Sequence, residues 1–382
     1  MIDPVEFVTS LEKLGIRFVT GVPDSLLKSV CACFMSRFSP EEHIAATHEG
    51  SAVGLAIGHY LGSGRPALVY MQNSGLGNIV NPVASLAAPE VYGIPMILMI
   101  GWRGEILEDG SQLKDEPQHV LQGQITIGQL EILGIPFRIV DSSTQTAEPV
   151  LSELVDAAMS GSCPAALLVR KQTFAPFKAA KHDQGDTQLL REEAICALIA
   201  ALPDNVPIVS TTGMASRELF ELREASRRGH HMDFLTVGGM GHAGQIAAGI
   251  ALAEKDRPVV CLDGDGAVLM HMGALTVSAA CPNLLHIVIN NGAYDSVGGQ
   301  QSKGAFLDLT GIAAACGYGR VFRATTTDEI ATNVRAMLEC GASSFLEIKC
   351  KPGARGDLGR PTSTPVCIKK AFMGNFSKTR NP

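Results

Sequence analysis

Short apolar runs bounded by glycine, aspartate and asparagine alternate along this chain with segments of helical periodicity. Residues 4–14 place Val5, Val8 and Leu11 at helical spacing, and Asp3 precedes them as a predicted N-cap. Short bounded apolar runs are typical of buried strands, which we predict at residues 17–20, 67–71, 95–100, 206–210, 259–262, 284–289, 321–324 and 344–349. Further predicted helices cover residues 45–58, 146–159, 189–202, 244–252, 267–280, 307–316 and 327–341. This alternation predicts an α/β fold with parallel sheets.

The pattern is interrupted between two comparable halves. Residues 176–188 lose the apolar periodicity and are interpreted as a linker between domains at residues 1–175 and 189–352. Residues 353–382 form a basic, turn-rich tail, which is either a disordered end or a cover folded over a site. Two α/β halves of similar organisation suit a cofactor held between them.

Composition excludes several classes of protein. The 382 residues suit two α/β domains, and a net charge of −7 gives no basis for binding nucleic acid. We expect no membrane association, because no apolar run approaches about 18 residues, and no signal peptide is recognisable at the start. The ten cysteines lie mostly in apolar segments without metal-ligand spacing, which favours free thiols in the cytoplasm.

Two polar clusters in residues 259–300 carry the strongest chemical signal. Gly264-Asp265-Gly266 follows one predicted strand, and Asn291 follows the next, 26 positions after Asp265 (291 − 265). A carboxylate with a neutral amide oxygen makes a poor acid/base pair but a good partial oxygen shell for Mg²⁺. Glycines at the start of a helix also let backbone amides approach an anion closely. The stretch predicts a metal-bridged diphosphate site, which parallel sheets hold at the carboxyl ends of their strands.

This spacing resembles the diphosphate-binding motif of thiamine-diphosphate enzymes and implies thiamine diphosphate and Mg²⁺ as cofactors. In the family pattern the metal ligands fall on Asp265, Asn291 and the carbonyl of Ala293. Met240, an apolar residue between glycines, corresponds to the residue that supports the bent cofactor. Further implied cofactor-binding positions are Gly213, Met214, Gly239, Gly264, Gly266, Ala267, Tyr294, Asp295 and Ser296.

Two segments of the first half carry the same resemblance. Glu49, followed by glycine and other small residues, resembles the catalytic glutamate of the pyrimidine-binding helix, which hydrogen-bonds N1′ of the aminopyrimidine. Without the resemblance it would be an ordinary acidic residue at a helix N-terminus. The turn at residues 21–25 contains Asp24 and Ser25, which resemble polar groups aimed at the reacting centre, although glycine and proline alone justify a turn there.

Residues 114–123 are polar and without periodicity, which predicts a long loop. It is either an ordinary solvated loop or a functional one, in which His119 relays protons and Arg103, just upstream, binds an anion. Other candidate cations for an anionic substrate are Lys303, Arg355 and Arg360.

The chain is too short for the third domain of the large thiamine-diphosphate decarboxylases, so two doubly wound parallel-sheet domains are implied, one for the pyrimidine and one for the diphosphate. Its segments GVPDS, QNSGLGNIVNP, NNGAYDSVGGQ and DLGRP resemble the phosphonopyruvate decarboxylases, with the sulfopyruvate decarboxylases as near relatives. Tyr294 departs from this pattern, in which we expect histidine.

The resemblance implies decarboxylation of 3-phosphonopyruvate, a small anionic 2-oxo acid, to phosphonoacetaldehyde and CO₂. Sulfopyruvate or another 2-oxo acid is an alternative substrate. A noncatalytic phosphate- or nucleotide-binding α/β protein is a further alternative, which Glu49 and the spacing to Asn291 argue against. Family members place each cofactor between the pyrimidine domain of one subunit and the diphosphate domain of another, which implies a homodimer or a higher oligomer.

Overall fold

The structure is a computed structural model that describes residues 1–178 and 188–376. The chain forms two compact units, Met1–His182 and Asp183–Pro382. The division lies inside residues 176–188, the predicted linker, most of which is outside the described residues, as is the end of the predicted tail. The boundaries of the domains, linker and tail therefore remain predictions.

The first unit contains a six-stranded parallel sheet in the order β2-β1-β3-β4-β6-β5. Its strands are β1 (Val19–Gly21), β2 (His43–Ala45), β3 (Leu68–Gln72), β4 (Met96–Gly101), β5 (Phe137–Val140) and β6 (Pro164–Val169). Its helices are α1 (Pro4–Lys13), α2 (Lys28–Arg37), α3 (Glu49–Ser63), α4 (Leu76–Pro82), α5 (Pro117–Ile132) and α6 (Glu148–Gly161). As predicted, Asp3 caps α1, accepting a 2.7 Å hydrogen bond from the Val5 amide.

Both faces of this sheet are covered by helices. Alternate residues of β3 divide between two cores: Leu68 and Tyr70 pack with α1, α2 and α6, whereas Val69 and Met71 pack with α3, α4 and α5. A strand buried on both faces needs apolar residues at successive positions, and this explains the continuous apolar runs in the sequence.

The second unit also contains a six-stranded parallel sheet, in the order β13-β14-β10-β9-β7-β8. Its strands are β7 (Ile208–Ser210), β8 (Asp233–Leu235), β9 (Val259–Gly264), β10 (Leu284–Asn290), β13 (Arg320–Ala324) and β14 (Ser344–Lys349), and β11 (Ala293–Tyr294) pairs antiparallel with β12 (Gln300–Gln301). Its helices are α7 (Arg191–Ala201), α8 (Met214–Ser226), α9 (Ala243–Ala253), α10 (Asp265–Met270), α11 (Leu275–Ser278), α12 (Leu309–Ala315), α13 (Thr327–Glu339) and α14 (Pro365–Met373). The prediction of an α/β fold with two doubly wound parallel sheets is confirmed.

Two local predictions were wrong. The predicted loop at residues 114–123 becomes helix at Pro117, where α5 begins. Its buried side includes His119, Gly123 and Thr126. An amphipathic helix is normally recognised by large apolar residues on the buried side, and here polar and small residues occupy those positions. The predicted helix at residues 267–280 is interrupted at His271, whose φ of −130° and ψ of 48° are not helical.

Candidate active site

In the first unit, the predicted functional residues follow the carboxyl ends of neighbouring strands. The register pairs Gly21 of β1 with Ala45 of β2, and Gln72 of β3 with Gly101 of β4. Parallel strands end at one edge of a sheet, and the segments that leave this edge carry Asp24, Glu49 and Arg103.

Glu49 begins α3 and is buried. The Asn78 side chain of α4 donates a 2.7 Å hydrogen bond from Nδ2 to Glu49 Oε2. Gly75 lies directly against the carboxyl group, since a Cβ there would be 2.8 Å from Oε1. The carboxylate is therefore held by α4 and the turn before it, in a space that requires glycine.

Asp24 is fully buried after β1. Its Oδ1 accepts a 2.7 Å hydrogen bond from Gln72 Nε2, and its Oδ2 accepts one of 2.9 Å from the Leu26 amide. Burial raises the pKa of Asp24, while these hydrogen bonds and the charge of Arg103 lower it by less. Asp24 therefore has a stronger tendency to hold a proton than an exposed aspartate.

Arg103 is fixed by two partners. Its Nε and Nη2 donate to Asp115 Oδ2 and Oδ1 at 2.7 and 2.5 Å, and its Nη1 donates to Ser25 Oγ at 2.9 Å. The backbone is held as well, because Asn73 Nδ2 donates to the Arg103 carbonyl at 3.0 Å. These contacts bring the predicted residues Ser25 and Arg103 together.

His119 lies in the first turn of α5 and is buried. Burial lowers its pKa to about 4, with the positive charge of Arg103 contributing and Asp115 opposing. The imidazole is thus neutral near pH 7. Among the described residues, its Nδ1 has no hydrogen-bond partner, although it is buried. An unsatisfied ring nitrogen of this kind suits a group that exchanges a hydrogen bond or a proton with a ligand.

In the second unit, β9 and β10 bring the two polar clusters together. The register pairs Gly264 with Ile289, so Asp265 and Asn291 leave adjacent strands at nearly the same level. Asp265 is buried, and Ser302 Oγ donates a short hydrogen bond to its Oδ2. Burial raises the pKa of Asp265 to about 6, despite that hydrogen bond.

Among the described residues of the second unit, no basic side chain forms an ion pair with Asp265. Lys349, whose charge lowers the pKa of Asp265, lies 2.8 Å from Glu347 instead. A buried carboxylate without a cationic partner is costly in water-free surroundings. The arrangement is therefore chemically suited to a cation, and oxygens of the kinds that Asp265, Asn291 and the Ala293 carbonyl carry are those that Mg²⁺ prefers.

Asn291 lies in the turn between β10 and β11, and Ala293 begins β11. Asn291 is buried, donates from Nδ2 to Asp295 Oδ2 at 2.7 Å, and accepts at Oδ1 from the Ala293 amide at 3.3 Å. Gly292 between them has a φ of 64°, which a residue with a Cβ adopts only at a cost.

The remaining predicted cofactor residues form two groups around this turn. Gly266, next to Ala267 in α10, lies under the Tyr294 ring, since an added Cβ would be 2.5 Å from Tyr294 Cε1. Gly213 precedes Met214 at the start of α8 and lies against Ser296, with 2.7 Å from an added Cβ to Ser296 Oγ.

Met240 lies in a turn between Gly239 and Gly241, whose φ angles are 65° and 86°. An added Cβ on Gly241 would be 3.1 Å from the Ala267 carbonyl oxygen, so this turn packs on α10, the helix that Asp265 begins. Met240 is partly exposed.

The predicted cations of the second unit differ in their surroundings. Lys303 is exposed. Arg355 donates to Glu192 at 3.0 Å, lies 3.2 Å from Asp357, and forms a short ion pair with Glu221. Arg360 is exposed.

Sequence reasoning did not single out the partners of these residues. Gln72 and Asn78 belong to the segment QNSGLGNIVNP, from which no individual role was predicted for either residue. Asp115 gave no signal beyond a polar stretch, and Arg191, described below, gave none. The helical position of Asn78, one turn after Gly75, becomes informative only once α3 and α4 are known to pack together.

Comparison with known proteins identifies the family of this chain. Residues 6–131 match the family described as Thiamine pyrophosphate enzyme, N-terminal TPP binding domain, and residues 211–348 match the corresponding C-terminal TPP binding domain. A phosphonopyruvate decarboxylase of Streptomyces viridochromogenes is 34% identical over 97% of this chain and 94% of its own length. A sulfopyruvate decarboxylase of Methanosarcina acetivorans is 26% identical over 97% of each chain. The sulfopyruvate decarboxylase subunit beta of Methanococcus maripaludis is 28% identical over 50% of this chain and 100% of its own length.

The two family matches cover both units and confirm the predicted cofactor-binding domains. The alignment with the Streptomyces protein spans nearly the whole of both chains, at an identity that establishes common ancestry. This chain belongs to the phosphonopyruvate decarboxylase family of thiamine-pyrophosphate-dependent enzymes.

Proposed function

We propose that this protein decarboxylates 3-phosphonopyruvate to phosphonoacetaldehyde and CO₂, using thiamine diphosphate and Mg²⁺. The observation that carries the proposal is the buried Asp265 carboxylate, which follows β9 next to Asn291, the residue after β10, and has no cationic partner among the described residues of the second unit. The identity to phosphonopyruvate decarboxylases supports this choice of substrate over sulfopyruvate. When bound, thiamine diphosphate supplies the electron sink that makes loss of CO₂ from a 2-oxo acid feasible.

Asp265, Asn291 and the Ala293 carbonyl would hold Mg²⁺, and the metal would carry the diphosphate. The cation would neutralise the Asp265 carboxylate, whose pKa is raised by burial. The turn of Met240 packs on the same helix that Asp265 begins, and this supports a role for Met240 beside the cofactor.

Glu49 would hold a proton for the aminopyrimidine. Its carboxyl is buried and fixed between Asn78 and Gly75, so its position is set before a ligand enters. A preorganised carboxyl group suits proton exchange with a ring nitrogen. Glutamine at position 49 would keep the shape and remove the proton exchange.

Substrate recognition would fall mainly to Arg103. The bonds to Asp115 and Ser25 use three of its five N–H groups and leave two for an anionic oxygen. Asp24, with its raised pKa, is the favoured carrier of the proton that the product requires. Neutral His119, whose pKa is influenced by Arg103, would accept a hydrogen bond from a ligand. Lys303 would add a second positive charge near the phosphonate. Arg355 is the less favoured candidate, because three carboxylates already surround it.

The test is CO₂ release from 3-phosphonopyruvate, sulfopyruvate and pyruvate, with and without thiamine diphosphate and Mg²⁺. We expect turnover that requires both cofactors and is highest with phosphonopyruvate. Preference for sulfopyruvate would support the alternative decarboxylase. Absence of turnover with all three substrates, together with binding of nucleotides, would support the noncatalytic alternative.

The role of Arg103 is tested by Arg103→Gln. We expect the ratio of phosphonopyruvate to pyruvate turnover to fall, with a rise in KM for phosphonopyruvate. Arg138→Gln is the matched control, because Arg138 is an arginine of the same unit that pairs with Glu153 at the surface. An unchanged substrate ratio in Arg103→Gln would dismiss Arg103 as the phosphonate ligand.

We further propose a cytoplasmic homodimer, or a higher oligomer, in which two subunits complete each active site. The ten free cysteines favour a reducing compartment. Within the described residues, none of the helices combines the length and apolar character needed to cross a bilayer. Mixing Glu49→Gln with Asp265→Asn subunits tests the shared site, because each mixed dimer would regain one of its two sites. Random pairing at equal amounts makes about half of the dimers mixed, so the mixture should recover about a quarter of wild-type activity. Activity in a monomer at assay concentration would contradict the proposal.

A further inference from the structure

One carboxylate oxygen of the second unit joins three distant segments. Asp295 Oδ2 accepts hydrogen bonds of 2.7 Å from Arg191 Nη1, 2.7 Å from Asn291 Nδ2 and 3.0 Å from the Gly353 amide. The Arg191 donor lies at the start of α7, Asn291 in the turn after β10, and Gly353 in the segment after β14. This oxygen therefore links the predicted metal-binding turn to two elements that carry no predicted cofactor residue.

Arg191 is held in one position by a second carboxylate. Its Nε and Nη2 donate to the two oxygens of Glu218 at 2.7 and 2.9 Å, and both side chains are buried. Arg191 Nη2 also donates to the Gly353 carbonyl at 3.3 Å. A guanidinium bound on one edge by a two-pronged carboxylate presents its remaining nitrogen in a fixed direction, so the position of Asp295 is fixed too.

The consequence for Asn291 follows from hydrogen-bond polarity. Asp295 Oδ2 accepts from Asn291 Nδ2, and the same oxygen accepts from Arg191 and the Gly353 amide, so the amide nitrogen of Asn291 faces Asp295. The amide oxygen, Oδ1, then points away from Asp295. Turning the amide over would place Oδ1 against a carboxylate oxygen and leave Asp295 without this donor. The oxygen is the only atom of this side chain that can bind a cation.

We propose that Asp295 and Arg191 are positioning residues that fix the Asn291 amide with its oxygen directed to Mg²⁺. The proposal rests on the proposed function, because it assumes that Asn291 binds the metal. It gives Asp295 a role different from the cofactor contact predicted for it from the resemblance. It also assigns a function to Arg191, which is not among the predicted site residues.

The test measures metal affinity independently of catalysis. Wild-type protein and Asp295→Ala are titrated with Mn²⁺ in the presence of saturating thiamine diphosphate, and free Mn²⁺ is followed by electron paramagnetic resonance. We expect Asp295→Ala to weaken Mn²⁺ binding by about 10- to 100-fold, the usual effect of losing a group that orients a metal ligand. Asp295→Asn retains an oxygen that accepts from Asn291 and should recover part of the loss.

A matched control separates positioning from stability. Asp233 forms a comparable buried pair in the same unit, accepting two 3.0 Å hydrogen bonds from Arg223. Asp233→Ala should lower the melting temperature in metal-free buffer at least as much as Asp295→Ala and leave Mn²⁺ affinity unchanged. Equal weakening of Mn²⁺ binding in both variants would overturn the proposal, because general destabilisation would then explain it.

The remaining outcomes are also distinguishable. Wild-type protein that does not bind Mn²⁺ with thiamine diphosphate would contradict the proposed function itself. Wild-type binding with unchanged affinity in Asp295→Ala would overturn the positioning role alone. Should Asp295→Ala not fold, Arg191→Lys serves as the second variant, since it keeps the charge and loses the two-pronged contact with Glu218. Unchanged Mn²⁺ affinity in Arg191→Lys would then refute the role of Arg191.

Discussion

Replacing Asp265 by asparagine should stabilise the metal-free protein at neutral pH while abolishing metal binding. Asp265 is buried, its oxygen Oδ2 accepts from Ser302, and burial raises its pKa to about 6. Asparagine has nearly the same shape and can keep the hydrogen bond to Ser302 without a charge. The variant therefore removes the cost of burying a carboxylate that no cation neutralises.

The size of the expected difference in unfolding free energy follows from the pKa of Asp265. The folded value of about 6 lies above the ordinary value of 3.8, and each unit of pKa corresponds to about 1.36 kcal/mol. Ionising Asp265 therefore costs the metal-free fold about 3 kcal/mol. Between pH 3.8 and about 6 the folded state binds more protons at Asp265 than the unfolded state. The stability that the fold has with Asp265 protonated is therefore fully present below pH 3.8, and it is lost as the pH rises through the folded pKa of about 6.

Urea unfolding followed by circular dichroism at pH 4, 5, 6 and 7 in EDTA measures this difference. The free energy of unfolding of Asp265→Asn should exceed that of the wild type by little at pH 4 and by about 3 kcal/mol at pH 7. Mg²⁺ with thiamine diphosphate should stabilise the wild type and leave the variant unchanged. A difference in unfolding free energy that is independent of pH would refute the reasoning.

Three further predictions concern the first unit. Gly75→Ala should displace the Glu49 carboxyl group and lower kcat by about 100-fold, because the added methyl group would be 2.8 Å from Glu49 Oε1. Gly77→Ala is the control and should retain activity, because an added methyl group there has no atom within 4 Å. Equal kcat values for the two variants would contradict this prediction. Asp24→Asn should lower kcat, because it removes the buried carboxyl group, with its raised pKa, that is proposed to carry the proton of the product; an unchanged kcat would count against it. His119→Gln should reduce the fall in melting temperature between pH 6.5 and about 4. The buried imidazole, with a pKa of about 4, stays neutral in the folded protein over this range, whereas the imidazole of the unfolded chain becomes protonated and favours unfolding. An equal fall in melting temperature in the wild type and the variant would exclude this cause.

The strands could be predicted because their signal is local. A strand buried on both faces requires a continuous apolar run, and parallel connections require glycine, aspartate or asparagine at the ends. The first turns of α5 escaped prediction because the helix buries His119 and Gly123 rather than large apolar residues. A helix that places polar groups inward for a site has no apolar stripe at the positions where periodicity is sought.

The interruption at His271 could not be predicted for a related reason. The sequence of residues 267–280 contains no proline and has a helical composition. Yet the carbonyl of Ala274 accepts a 2.9 Å hydrogen bond from Gln245 Nε2, a side chain of α9. A contact 29 positions away thus supports the broken segment, and local propensity does not contain it.

The sequence alone determined the α/β class, the two comparable halves and the diphosphate motif, because each depends on residues that are close along the chain or repeat with a fixed period. It also placed Glu49 and Arg103 among the candidates through their immediate neighbours. Only the tertiary structure decided what those groups contact: Asn78 and Gly75 around Glu49, and Asp115 and Ser25 around Arg103. The physical reason is that hydrogen bonds and burial act through space, between strand ends and helices that are distant in sequence, and these contacts fix the orientation of each candidate group.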